Sequence, residues 1–367
     1  MKSRTTALLP ARPPWGRILL LVALGVCTWA LLLAWFGGAE TLRAMAAAEG
    51  LWLAAALLLH YSSFAVRGHR WSLLLKLLGY PLSFLNATGL LVAGWFLSAL
   101  LPARAGDFAR IGVLRLGGRT HSPTPVAVGM GSIVLERALD MAAIVALGAL
   151  FGGAVLRTEA PGWLLASYAV ALGVLAALAG GLLLAPAATG WLRRWSQAIF
   201  WQKTVDFAGQ LAASLQILAR QPRQAAVIVG ESLAIWLSDA IVVWLVLRSV
   251  GANYSFEQSA FVALTVDVLS SIPLTPGGIG QSEAAYVAMF ALLPTVPAAN
   301  LGAAILLVRA IHYWSFLVFS GVVTAATGFG ELLQRVRLES VPPPAAASGA
   351  ASGAASGASQ GSPGPSA

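Results

Sequence analysis

Residues 126–156 read VAVGMGSIVLERALDMAAIVALGALFGGAVL, and their only charges are Glu136, Arg137 and Asp140. An α-helix needs about 20 apolar residues to cross roughly 30 Å of hydrocarbon. This run exceeds that length, so it predicts a membrane-spanning helix with a polar cluster in its first half. A charge at the bilayer centre costs roughly 2.5–3.5 kcal/mol on insertion scales. Three charges in one span therefore require an inward-facing, shielded environment.

The rest of the chain has the same character. Apolar residues make up 58% of the sequence and charged ones 10%, where a soluble protein carries about a quarter. No soluble core absorbs that much apolar surface, so the bilayer must act as solvent. Further long runs lie at 18–36, 51–66 (or on to Leu78), 162–185, 224–247 and 299–327, which makes six candidate spans. The first follows a basic segment, 1–17, and is longer than the roughly 7–15 residues of a signal-peptide core. It is therefore expected to stay as a span. The net charge of +9 fits basic loops against an anionic cytoplasmic leaflet better than nucleic acid binding. The single cysteine, Cys27, excludes an intramolecular disulfide. His60, His69, His121 and His312 show no metal-ligand spacing. No HExxH, Walker-A, GxSxG or helix-opening GxGxxG motif is present. No catalytic residue, metal or cofactor is expected on these grounds.

Two apolar stretches are short for a crossing. Residues 87–101 stop at Pro102, and 259–274 stop around Pro273 and Pro276. Each runs into Gly/Pro-rich sequence, which membranes tolerate only where protein or a water-filled cavity shields the backbone. Both predict re-entrant helical hairpins, near 86–119 and 257–296. With both entering and leaving on one side and the N-terminus cytoplasmic, basic residues concentrate in cytoplasmic segments at 2–17, 67–76, 104–119, 193–223 and 335–337. Only Arg43, Arg157 and Arg248 remain outside. That asymmetry obeys the positive-inside rule and places both termini in the cytoplasm.

The two stretches also echo each other. Pro102, Gly106 and Arg110 are matched by Pro276, Gly280 and Glu283. Arg137 with Asp140 is matched by Arg309 with His312. With opposite entry sides, this is the layout of an inverted-topology repeat, which places a site near the midplane. Residues 191–221 carry apolar residues at helical spacing beside Arg193, Arg194 and Lys203, and predict an interfacial amphipathic helix. Residues 339–367 are Pro, Ala, Ser and Gly-rich and predict a disordered tail.

Three ordered segments, LPARAGDFAR at 101–110, ERALD at 136–140 and PGGIGQSE at 276–283, resemble the transmembrane-region family named after lysylphosphatidylglycerol synthase. The likeness covers roughly residues 15–335. It implies a flippase-like membrane domain, 18–338 here, that handles lipids or lipid-linked molecules. In the synthases this domain is fused to a soluble aminoacyl-transferring domain, for which this sequence leaves no room. Arg104 departs from the pattern, standing where a small residue is expected.

The fold expectation is an all-α polytopic membrane protein of the cell (inner) membrane. Arg110, Arg137 and Arg309 suit bidentate phosphate contact. Thr275, Gly277, Gly278 and Gly280 can expose backbone N–H groups to an anion. Asp107, Glu136, Asp140 and Glu283 can meet a cationic headgroup or carry protons, and Arg104 adds positive charge. Arg137 and Arg309 are expected to face one central cavity. Arg137 and Asp140 also fit a local ion pair that makes the helix insertable. Asp239 and Asp267 lie in apolar runs with no evident partner. The expected partners are membrane lipids, an anionic phospholipid or lipid-linked substrate, and a partner membrane enzyme. The competing functions are a membrane-embedded enzyme acting on headgroups, an ion-coupled solute transporter and a scaffold.

Overall fold

A computed structural model describes residues 15–100, 105–115, 123–156, 160–195, 220–271 and 274–326. Among these residues the regular structure is entirely helical. Arg104, most of the 191–221 segment, the basic N-terminal residues and the 339–367 tail lie outside them.

Helix α1, Trp15–Trp35, turns through 104° into α2, Gly38–Ala46. The turn is made by Gly37 and Gly38, both with positive φ, a region other residues rarely enter. Then follow α3, Gly50–Leu77; α4, Phe84–Leu100; α5, Ala105–Arg115; α6, Val126–Val155; and α7, Gly162–Trp195. The second part comprises α8, Pro222–Ser249; α9, Phe256–Ser270; a short 3-10 turn, Pro276–Gly278; and α10, Gln281–Phe290. Last come α11, Ala298–Arg309, a π-helical segment, Ala310–Ser315, and α12, Phe316–Ala326.

Among the described residues, three helices are long and apolar enough to cross a membrane: α6, α8 and the continuous Ala298–Ala326 rod. The bent α1–α2 pair is a fourth if counted as one span. Six such spans were expected from the apolar runs. Helix α3 ends at Leu77, close to the longer of its two expected ends, and carries His60, Arg67, His69, Arg70 and Lys76, which dilute its apolar character. Helix α7 is apolar over Gly162–Ala177, and the side chains that follow lie mostly outside the described residues. Arg67 and Arg70, counted above with the cytoplasmic segments, are instead buried.

Helices begin at matching intervals. Gly50, Phe84 and Val126 open α3, α4 and α6. Pro222, Phe256 and Ala298 open α8, α9 and α11, each 172 residues further on (50 to 222, 84 to 256, 126 to 298). The local signals match as well. A serine precedes both phenylalanines, Ser83 and Ser255, and a proline precedes both long rods, Pro125 and Pro297. Ser255 closes a full capping box, accepting from the Gln258 N–H while Gln258 accepts from the Ser255 N–H. That satisfies two of the orphan donors of a helix start.

Packing repeats the pattern. Helix α3 runs against α8; α4 packs on α3 and α9 on α8; α5 returns along α4 and α10 along α9. Across the middle, α6 packs on α9 and α12 on α4. The larger core gathers around α8, α9 and α11 and includes Val243, Val246, Phe261, Leu264 and Ile305. A smaller one around α3, α4 and α5 includes Trp71, Leu75, Leu91 and Leu114.

The α4–α5 crossing depends on two glycines. A Cβ at Gly106 would strike the Gly94 carbonyl and sit 2.6 Å from Ser98 Oγ. Only hydrogen there lets the two backbones touch. Between α9 and α10 the chain turns instead through Gly277, Gly278 and Gly280, with φ of 65°, 64° and 82°. Gln281 bridges that break, accepting from the Leu274 N–H at 2.9 Å and donating to the Leu269 carbonyl at 2.9 Å.

Candidate functional site

The polar residues of α6 pair along their own helix only loosely, and more closely with other helices. Asp140 Oδ1 accepts from Arg70 Nη1 at 2.7 Å and from Trp236 Nε1 at 3.1 Å. Its approach to Arg137 is 3.8 Å. The i,i+3 spacing allowed the Arg137–Asp140 pair, but Arg70 from α3 approaches more closely. Arg70 Nη1 is held further by Ser232 Oγ at 2.8 Å. Glu136 Oε2 accepts from Arg110 Nη2 at 3.2 Å, and the Arg110 guanidinium lies 4.5 Å from the Trp71 ring centroid. Asp107 sits between Arg110, at 3.4 Å, and Arg137, at 3.3 Å.

Arg67 completes the group. It is buried between the rings of Trp95 and Trp236, 5.2 and 5.0 Å from their centroids. A cation over an indole face gains up to about 2 kcal/mol when desolvated. Four guanidinium groups (Arg67, Arg70, Arg110, Arg137) thus meet three carboxylates (Asp107, Glu136, Asp140), with Asp239 a fourth within electrostatic reach of Arg67. Arg110 and Arg70 are essentially sealed, whereas the Arg137 side chain is 29% exposed. Arg137 is therefore the guanidinium of this group that reaches open space.

The second hairpin has its own ion pair. Arg309 Nε donates to Glu283 Oε1 at 2.7 Å, and Glu283 Oε2 accepts from the Gly280 N–H at 2.8 Å. Arg309 Nη2 also donates to the Gly277 carbonyl at 3.2 Å. Both residues are thus occupied in holding the glycine turn. Two of the turn N–H groups considered for an anion are used internally as well, Gly278 on the Thr275 carbonyl and Gly280 on Glu283. Thr275 Oγ1 donates to the Ile279 carbonyl at 2.8 Å.

Between the hairpins lies a cavity of about 310 Å³. Helix α4 contributes Trp95 and Ser98, α6 contributes Arg137, and α9 and α10 contribute Ser270 and Ser282. The turn contributes Gly277 and Gly278, and the π-helical segment Tyr313. Four lining groups have no hydrogen-bond partner among the described residues: Trp95 Nε1, Ser98 Oγ, Arg137 Nε and Tyr313 OH. All four can donate. Buried donors are rarely left unpaired, because each costs about 1–3 kcal/mol. The expected shared cavity for Arg137 and Arg309 takes a different form. Arg137 lines this one, and Arg309 lines a smaller neighbour that shares Ser270 and Ser282 with it.

Trp95, Ser98 and Tyr313 were not singled out in the sequence. An indole, a hydroxyl and a phenol inside apolar helices give no linear signal. What brings them together is the packing of α4 on α12 and on the Pro276–Gly278 turn, and no local spacing shows it.

Comparison with known proteins agrees with the architecture. The family described as the lysylphosphatidylglycerol synthase TM region matches residues 18–320. The glycosyltransferase AglD of Haloferax volcanii is 30% identical over 83% of this chain, and the chain spans 54% of that protein's length. A UPF0104 membrane protein of Methanothermobacter thermautotrophicus is 24% identical over 86% of this chain and 95% of its own. One from Pyrococcus horikoshii is 23% identical over 83% and 95%.

Proposed function

We propose, from the premise that this chain belongs to the lysylphosphatidylglycerol synthase TM-region family, that it moves a phosphate-bearing amphiphile, a lipid or lipid-linked molecule, between leaflets. The headgroup binds in the cavity between the two hairpins. The observation that supports this reading is the cavity between the two hairpins, lined by the partly exposed guanidinium of Arg137 and by Trp95, Ser98 and Tyr313, whose side-chain donors have no partner among the described residues. Phosphate oxygens accept and never donate when ionised, so an anionic phosphate can pair with donors of this kind, including the indole and guanidinium N–H groups that a cationic headgroup leaves unpaired.

In this reading the chain is a six-span protein with two re-entrant hairpins and both termini cytoplasmic. Its halves form an inverted repeat that rocks around the midplane site. The 172-residue interval between helix starts supports the repeat. Arg137 is the phosphate contact. Arg110, Glu136, Asp107 and Asp140 hold it in place, and Glu283 with Arg309 shapes the glycine turn.

The test uses proteoliposomes carrying a fluorescent anionic phospholipid and a membrane-impermeant quencher that reads its leaflet. The wild type should expose lipid faster than empty vesicles. Arg137→Gln and Arg137→Lys should each slow exposure at least about tenfold, the lysine because it loses the planar two-point contact. Wild-type rates in both variants would remove Arg137 from the site. A second reading, group transfer to a headgroup, draws on the name of the Haloferax relative. Headgroup turnover by the purified protein, without leaflet movement, would favour it.

A further inference from the structure

A second buried polar centre adjoins this cavity and plays no part in the reading above. His60 comes from α3, Asp239 from α8 and His312 from the π-helical segment, and their donor atoms lie within 4.8 Å of one another. Asp267 of α9 lines one cavity of about 100 Å³ with Asp239 and His312. The sequence hid this grouping, because its members are separated by scores of residues along the chain.

The tautomer of His312 can be argued from its neighbours. Nδ1 lies 3.1 Å from the Val308 carbonyl, an acceptor, so Nδ1 carries the hydrogen. In a neutral ring, Nε2 then presents a lone pair, and it faces Asp239 Oδ1 at 2.9 Å. Two lone pairs at that distance repel unless a cation lies between or beside them. His60 adds a third donor atom. Its side chain is 8% exposed, and Nε2 has no partner among the described residues. Asp267 Oδ2 is likewise unpartnered. A ring N–H anchored on a backbone carbonyl is the usual outer-shell support of a metal-bound histidine. The π-helix is a second pointer, since such bulges occur mostly at functional positions and redirect the side chains they contain.

We propose that His60, Asp239 and His312, with Asp267 as fourth donor, bind a divalent transition metal of the zinc class. Two imidazole nitrogens and two carboxylate oxygens are a zinc-type donor set. At metal–ligand bonds of about 2.0–2.1 Å, tetrahedral donors sit about 3.4 Å apart. Two carboxylates, two neutral imidazoles and a divalent ion sum to zero charge, which removes the cost of leaving the acids ionised away from water. The metal would tie α3 to α8, α9 and the π segment, directly behind Ser270 and Ser282 of the headgroup cavity.

The test uses the full chain purified without a histidine tag, in a Cys27→Ser background, and stripped with a chelator. Zn²⁺ titrated by calorimetry should bind at one equivalent, and Co²⁺ should give the intense visible bands of a tetrahedral site. His60→Gln, Asp239→Asn and His312→Gln should each weaken Zn²⁺ binding by more than about tenfold. His312→Cys should keep Co²⁺ and add a thiolate-to-metal charge-transfer band, a gain that a misfolded protein cannot produce. No saturable Zn²⁺ binding by the wild type would overturn the proposal and leave a protonated His312–Asp239 pair as the cation. Wild-type affinity in all three single variants would overturn it too, as would Co²⁺ bound by His312→Cys without the new band.

Discussion

The two hairpins each carry one buried ion pair to the long helix that follows. Arg110 reaches Glu136, and Glu283 reaches Arg309. The partners are 26 residues apart in both cases, with the charges exchanged. A shared spacing with opposite polarity means that the scaffold needs a neutral bridge at this point and is indifferent to which side supplies the cation. What differs is the company each pair keeps. Arg110–Glu136 sits among Arg67, Arg70, Arg137, Asp107 and Asp140, whereas Arg309–Glu283 is tied into a glycine turn. One half has become an electrostatic site and the other a shaped backbone.

The hardest way to break this comparison is to remove one partner of the second pair. Arg309→Ala leaves Glu283 buried and unpaired, a loss of about 3–5 kcal/mol, and the protein should fail to accumulate or should melt much earlier in a detergent thermal-shift assay. Exchanging the pair, Glu283→Arg with Arg309→Glu, copies the polarity of the first half and should restore part of that loss. Full restoration would show that the Glu283 contact to the Gly280 N–H is dispensable. No restoration would end the equivalence of the two pairs.

A smaller effect separates the two ways of building a hairpin. Gly106→Ala drives a methyl group into the Gly94 carbonyl. Overpacking of this kind costs typically about 1–3 kcal/mol. Gly173→Ala on α7, with nothing within 4 Å of the added methyl, should leave melting unchanged. Equal melting of the two variants would contradict the backbone contact between α4 and α5. The smallest effect lies at the helix start that the second half caps so fully. Ser255→Ala removes the capping box of α9 and should cost about 1 kcal/mol, measurable by the same assay as a modest shift.

Much of this was legible before any coordinates. The runs at 126–156, 224–247 and 299–327 become α6, α8 and the α11–α12 rod nearly to the residue, because an apolar run in a membrane has only helix available to it. The Gly/Pro breaks were legible for the same reason. The register of the echo was legible too. Matching by residue type aligned Arg137 with Arg309, which is the 172-residue interval of the helix starts, whereas the buried ion pairs are offset from it by one residue, Glu136 standing opposite Arg309. A charge-exchanged bridge hides its own symmetry from any comparison that looks for like residues. Arg67 and Arg70 were misplaced because arginines after an apolar run usually mark the interface, and Asp140, which neutralises Arg70, lies 70 residues on. Helix α2 went unread because a polar nine-residue stretch after a span looks like a loop.

The contact between α3 and α8 has a consequence of a different kind. Helices at matching positions in two halves that pack on each other make an isologous contact, the kind that two identical subunits form across a twofold axis. Under the proposed repeat the chain reads as a dimer whose protomers were joined end to end. Two fragments expressed separately and divided after residue 205 should therefore find each other in the membrane and co-purify as a pair.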